Sequence, residues 1–451
     1  MKILKYISVL VLFFATISCE SELDVEPAQS ISGEKAFSSE ANVLNVLVGT
    51  YTEAGENATY GGRTQIIADL LGNTTQVNWG GTFIDPRQLN SKSVLVDNFF
   101  VEEVWGNSYE VINQANLVLD NLAVITSGGA DKAEGEAKFL RALMYFELVR
   151  HFGKPYQVGG NNAQPAVPLR LTGVTDYGSD LAIARSSVEE VYSQIITDLN
   201  DAFSKLPATN DIFADKYAAK ALLARVYFQQ GNYADARDAA HDVLTNSGHS
   251  LAPSFSSAFN NDADSMEDIF AFQVTSQGGD NDLITFYASQ SNGGRQGDID
   301  LQQGYFDLFD DPTNDVRDNF IYTSPDNGGT LTAKYTNQFA NISVFRIAEM
   351  HLIRAESNFR ENTSLGLAPL VEINALRGRS SASPLAAVTL DLFFNERQLE
   401  LAFEGHLVHD LKRTQRSVGT LAYDADELVL PIPQAEMDTN TLIEQNPGYL
   451  N

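Results

Sequence analysis

Residues 216–244 spell out a helix hairpin, and that unit limits what the rest of the chain can be. Leu223, Ala224, Tyr227, Gly231, Tyr233, Ala236, Ala240, Val243 and Leu244 recur at helical spacing. Gln230-Gly231-Asn232 interrupts the run, with glycine where a left-handed residue ends a helix. The small residues let two helices approach closely, but one such pair cannot bury its own faces, so further helices must stack on it. The chain supplies them. Residues 97–122 carry Phe100, Val104, Tyr109, Ile112, Ala115, Leu119 and Leu122 near a 3.6 period. Residues 133–152 run into Phe152-Gly153-Lys154-Pro155, a helix stop. Ser187-Val188-Glu189-Glu190 is a capping box that opens a helix reaching about Leu206, before Pro207.

The hairpin follows the tetratricopeptide spacing, although the usual aromatic at the Ala240 position is missing. Weaker candidates for similar pairs lie at 133–150 and 346–376. The expected fold is mainly all-α, a scaffold of tetratricopeptide-like helix pairs. Long irregular loops and a few short strands then form a ligand face. Two glycine-rich stretches, 59–92 and 277–305, are the candidates for that face, because long loops in a compact protein are usually functional or mobile.

The N-terminus says where the chain works. Lys2 and Lys5 precede an apolar stretch of 12 residues, Tyr6 to Ile17, and Ser18 stands before Cys19, the only cysteine of the chain. The stretch is too short to span a bilayer as a helix and reads as a signal peptide over 1–18. Ending in a small residue and cysteine, it resembles a lipoprotein signal, which makes Cys19 the lipidation site. Residues 19–35 follow as an acidic tether, rich in repelling charge with nothing to bury. Acids directly after the cysteine resemble the surface-export signal of Bacteroidetes lipoproteins. The net charge of −29 argues against nucleic acid and anionic membrane surfaces as partners.

Four further segments resemble the SusD/RagB family of outer-membrane glycan-binding lipoproteins. They are Glu136-Ala137-Lys138-Phe139-Leu140-Arg141-Ala142 through Phe152-Gly153 and Pro155; Arg346-Ile347-Ala348-Glu349-Met350 through Arg354-Ala355-Glu356; Glu396-Arg397-Gln398-Leu399-Glu400 through Glu404-Gly405-His406 to Asp410-Leu411-Lys412-Arg413; and Leu430-Pro431-Ile432-Pro433-Gln434 through Asn446-Pro447-Gly448-Tyr449. Leu407 and His409 depart from the residues common after Glu-Gly-His. The resemblance implies an N-terminal region over 36–245 and a C-terminal region over 262–451. It also implies a helical lid on a SusC-like TonB-dependent transporter, capturing an oligosaccharide or polysaccharide at the cell surface. The alternative is a surface lipoprotein of tetratricopeptide type that captures peptides or proteins, as a RagB-like variant would.

Neither reading requires catalysis. Glu396, Glu400 and Glu404 share one helix face with Arg397. A glycosidase needs two carboxyls facing across a cleft, whereas acids at this spacing usually form ion pairs. Asp307, Asp310, Asp311, Asp315 and Asp318 hold no glycine at a calcium-loop bend and read as an internally paired turn. His406, His409 and Asp410 suggest a helix terminus more than a metal site, so neither metal nor cofactor is expected. The candidate sugar contacts come from the two glycine-rich stretches. Trp79 offers a flat face for a sugar ring, with Asn78 and Asp69 for its hydroxyls and Phe83 close by. Tyr287, Asn292, Arg295 and Gln296 come from the second stretch. Trp105, on a helical apolar stripe, belongs to the core.

Cys19→Ser is expected to abolish incorporation of radiolabelled palmitate and to move the protein from the membrane to the soluble fraction. Unchanged fractionation would remove the anchor.

Overall fold

The computed structural model describes residues 37–275 and 281–449. Cys19, the signal segment, the tether over 19–35 and part of the second glycine-rich stretch lie outside the described residues.

The chain opens with α1 (Glu40–Ala54), α2 (Arg63–Gly72), β1 (Val77–Trp79) and α3 (Ile84–Ser91). The long helices follow: α4 (Phe99–Asp120), α5 (Ala130–Phe152), α6 (Val188–Lys205), α7 (Lys216–Gln230) and α8 (Tyr233–Asn246). The second half holds β2 (Asp268–Phe272), α9 (Asp282–Tyr287), β3 (Ile299–Leu301), α10 (Gln303–Phe306), β4 (Ile321–Thr323), β5 (Thr330–Thr332) and β6 (Ile342–Arg346). It ends with α11 (Ile347–Arg360), α12 (Pro369–Arg379), α13 (Leu390–Glu400), α14 (Leu407–Arg413) and α15 (Gln434–Thr439). The chain is mostly helical, as its periodicity predicts.

Local chemistry sets the ends of these helices. Asn98 accepts a hydrogen bond from the Val101 N–H at 3.2 Å, so α4 starts one residue after its cap. Ser187 and Glu190 form the reciprocal capping box expected for α6. Gly231 adopts φ 74° and closes α7 before α8, where a side chain would be strained.

The helices stack in a run. α1 packs on α4, α4 on α5, α5 on α6, α6 on α7, α7 on α8, α8 on α11, and α11 on α12 and α13. Ala236, Ala239 and Ala240 are buried on α8, so the missing aromatic gives a close approach to α11. α5 is enclosed by α4 and α6, and every residue from Phe139 to Phe152 is buried. Several of its buried polar groups are paired with neighbouring elements. Arg141 donates to both Asp198 oxygens at 2.8 and 2.7 Å, and Glu136 accepts from Asn210 at 2.9 Å.

The two glycine-rich stretches depart from the sequence reading as irregular loops. The stretch 59–92 contains α2, β1 and α3, and 277–305 contains α9, β3 and part of α10. Nine of the ten residues of α2 are buried. A helix covered on nearly all sides has no polar stripe, so its period is invisible in the sequence.

The motif helices carry ion pairs rather than a cleft. Glu396 accepts from Arg317 at 2.6 Å and from Arg377 at 3.0 Å, and Arg397 binds Asp410. Glu400 pairs with Arg346 and Arg379, and Glu404 with Lys334 and Arg346. On α11, Glu349 is bound by Arg225 of α7 and Glu356 by Arg413 of α14. The aspartate turn is paired internally through Asp315 and Arg317, whereas Asp310 takes Arg377 and Asp311 accepts from the Ser383 N–H, both from outside the turn.

Burial alone would raise the Glu400 carboxyl, but Arg379, Arg346 and Arg317 override it and hold the group down at about 2. Its stabilising contribution is complete above the ordinary glutamate range and is lost as pH falls toward 2. Glu400→Gln is expected to cost roughly 3 kcal/mol or more at pH 7, because it leaves buried guanidinium groups short of charge. Urea unfolding at pH 7 and pH 3 should show that penalty shrinking at the lower pH.

Candidate functional site

The fold brings the two glycine-rich stretches into one surface. β1 and β3 pair antiparallel, with Val77 opposite Leu301, Asn78 opposite Asp300 and Trp79 opposite Ile299. The Gly80 N–H donates to the Asp298 carbonyl at 2.8 Å, which extends the ladder. Close approach explains two of the glycines. A Cβ on Gly81 would sit 2.5 Å from the Trp79 ring, and one on Gly294 would sit 2.1 Å from the Ala288 carbonyl. The hairpin of β4 and β5 completes the rim, since Ser324 Oγ donates to the Gln296 carbonyl at 2.9 Å. Asp326 accepts from the Gln290 N–H at 2.8 Å on the same rim.

Phe83 is the sequence candidate whose aromatic ring this surface shows to solvent. It is 41% exposed. Its ring meets Phe286 edge-on at 5.9 Å, and the Arg295 guanidinium stacks 4.5 Å from its centroid. Arg295 is oriented by two bonds, from Nε to Asp298 Oδ2 at 2.9 Å and from Nη2 to Thr82 Oγ1 at 3.2 Å. Its side chain still keeps 38% exposure, so part of it faces outward. Asn78 is exposed one strand away and donates to Asp300 at 3.0 Å. Gln296 reaches Asp298 at 3.4 Å, and Asn292 is half-buried before Gly293.

Three of the sequence candidates occupy other places. Trp79 is only 6% exposed and packs 5.5 Å from Phe286. Its indole N–H donates to the Phe83 carbonyl at 3.1 Å. It therefore presents no flat face to solvent and instead holds the Phe83 backbone in place. Tyr287 and Asp69 are buried together beneath the α14 entry, with the Tyr287 hydroxyl 3.4 Å from Asp69. The Gly405 N–H donates to the same Asp69 oxygen at 3.2 Å. Trp105 is core, as read, against Tyr109 and Phe152.

Some residues of this face were not marked by the sequence. Ile84, Leu95 and Phe99 are each more than half exposed. They lie near one another, because the Phe99 N–H donates to Asp85 at 2.9 Å and the Leu95 N–H to Gln88 at 3.1 Å. With Phe83 they form an apolar strip beside the polar rim. Thr82 and Asp298 orient Arg295 but have no sequence signal beyond their closeness to it.

Comparison with known proteins places the chain in a family. Residues 23–228 match a family model described as starch-binding, associating with the outer membrane, and residues 284–427 match that of the SusD family. The chain belongs to the SusD/RagB family of carbohydrate-binding proteins. It is 25% identical over 523 aligned residues to SusD-like protein P2 of Formosa agariphila, covering 98% of this chain and 99% of that one. A SusD superfamily protein from Bacteroides thetaiotaomicron has the same fold, with TM-score 0.80 and 24% identity over 91% of this chain and all of that one. A laminarin-binding SusD-like protein superposes with TM-score 0.75 and 21% identity over 91% of this chain and all of that one. The family is associated with the outer membrane, and among the described residues no helix is long and apolar enough to cross a membrane.

Burial raises the Asp69 carboxyl to about 7, against the lowering effect of the Gly405 and Leu407 N–H groups. The folded protein therefore holds the proton more tightly than the unfolded chain, and stability falls as pH rises from about 4 to 7. Asp69→Asn removes that titration. Relative to the parent, its unfolding free energy, read from urea unfolding, is expected to be more favourable at pH 8 than at pH 4, by an amount on the order of a few kcal/mol. A constant difference across that range would refute the assignment.

Proposed function

We propose that the chain is a non-enzymatic, lipid-anchored capture protein. It binds an oligosaccharide or polysaccharide at the outer surface of the cell and passes it to a SusC-like TonB-dependent transporter. The observation that carries the binding step is the exposed Phe83 ring, packed edge-on against Phe286 and stacked by Arg295, with its backbone carbonyl held by the Trp79 indole. A sugar ring has one face of C–H groups that can lie on an aromatic surface, while its edge hydroxyls need directed polar partners. Asn78, Asn292, Arg295 and Gln296 stand where they can supply them. With a net charge of −29, the chain favours neutral over strongly anionic glycans.

Two further features support this reading over the peptide-binding alternative and over hydrolysis. The tetratricopeptide-type hairpin of α7 and α8 is covered by α6 and α11, so it leaves no open groove of its own for a peptide. Glu396 and Glu400 of α13 are buried and bound by arginine, and Glu404 beyond it is bound by Arg346 and Lys334, which withdraws them from glycoside chemistry. The partner barrel and the transfer step rest on family membership.

Isothermal titration of the purified protein against neutral glucans, laminarin among them, and against a peptide mixture tests the proposal. Saturable glycan binding without products on thin-layer chromatography is expected. Phe83→Ala should weaken it about tenfold, equivalent to ~1.4 kcal/mol. Binding of peptides alone, or release of shortened sugars, would overturn it.

A further inference from the structure

Far along the chain from the loop face, two buried histidines are left unused by the fold. His151 lies on α5 and is fully buried; His409 lies on α14 and is 2% exposed. Their rings meet edge-on with centroids 4.9 Å apart. All four ring nitrogens are buried without a hydrogen-bond partner. An unsatisfied buried polar atom costs roughly 1–3 kcal/mol, so four of them in one place point to a missing partner.

Glu147 stands one helical turn before His151 on α5. Its Oε1 accepts from the Tyr60 hydroxyl at 2.6 Å and pairs with Arg150. Its Oε2 lies 3.7 Å from His151 Nε2. One donor atom each from Glu147, His151 and His409 falls within 4.8 Å of the other two. Around a tetrahedral zinc ion with bonds of 2.0–2.2 Å, neighbouring donors stand about 3.4 Å apart. A contraction of at most about 1.4 Å would bring these three to that spacing.

We propose that Glu147, His151 and His409 form a structural site for a divalent transition metal of the zinc class, clamping α5 to α14. The surroundings select that class. Arg150 already occupies one Glu147 oxygen, and the Lys412 ammonium lies nearby, donating to the Arg150 carbonyl at 3.3 Å. Calcium and magnesium depend on several oxygen ligands and on negative charge, and this site offers one shared carboxylate amid cations. Zinc, cobalt or copper binds neutral imidazole through its lone pair and depends less on net charge. A water completes the fourth position. His406 takes no part, being half-buried at the α14 entry, and Asp410 is held by Arg397 and Arg413. The grouping of His406, His409 and Asp410 by sequence proximity is thus replaced by one that only the packing of α14 on α5 creates.

The test uses the full chain purified without a polyhistidine tag, stripped with chelator and titrated with zinc or cobalt chloride. About one equivalent of zinc should survive gel filtration, as measured by plasma mass spectrometry. The cobalt form should show the intense visible bands of a four-coordinate ion, and zinc should raise the thermal midpoint. His409→Phe keeps an aromatic in the space and should lose the metal while retaining the parent's circular dichroism. Retention below a tenth of an equivalent would overturn the proposal, as would weak six-coordinate cobalt bands or equal retention by His409→Phe. If that variant fails to fold, the cobalt spectrum of the parent chain decides by itself.

Discussion

Arg346 is the residue around which the second half of the molecule is organised. It ends β6 and caps α11, and from there it binds Glu267 before β2, Glu400 on α13 and Glu404 beyond it. Arg379 bridges Glu267 and Glu400 from α12, and Arg317 reaches Glu396 from the aspartate turn. Lys334 joins through Glu404 and two carbonyls. Every one of these charges is buried or nearly so, and such groups are tolerated only when paired. Pairing demands particular geometry, so the network fixes how β6, α11, α12 and α13 sit relative to one another. A purely apolar core would hold these elements together but specify their orientation less sharply.

The loop face inherits its precision from this rigid body. β1 and β3 come from distant parts of the chain, and their ladder forms only because α2 and α9 are seated against the helical stack. Trp79 then does its work from inside. By burying its indole against Phe286 and donating to the Phe83 carbonyl, it fixes the aromatic that remains outside. Arg295 lies over that ring and is itself tied to Asp298 and Thr82. For the glycan we propose to bind here, these groups are already oriented, which would lower the entropy cost of binding.

Much of the scaffold could be read from residue order. The capping box at Ser187, the glycine stop at Gly231 and the apolar stripe of α4 are local signals, and each marks a real boundary. The Glu–Arg spacing of α13 pointed to ion pairs, and the pairs are there, although their partners lie on other elements. α2 escaped notice because it is buried on nearly every side and so lacks the polar face that reveals a helix. At the loop face, the two glycine-rich stretches and the side chains of Phe83 and Arg295 were legible from composition. Trp79 was not, because a tryptophan in a polar, glycine-rich segment looks the same whether its ring points in or out.

The sequence by itself determined the helical class, the hairpin that must be stacked upon, the family motifs and the two segments that gather at the surface. These depend on residues a few positions apart, where period and capping chemistry act. Only the tertiary structure decided which aromatic faces solvent, which carboxylate meets which arginine, and that His151 comes to rest against His409. Those outcomes depend on contacts between segments tens to hundreds of residues apart. Close packing settles them through which side chains can share the same space, and the order of residues does not record that.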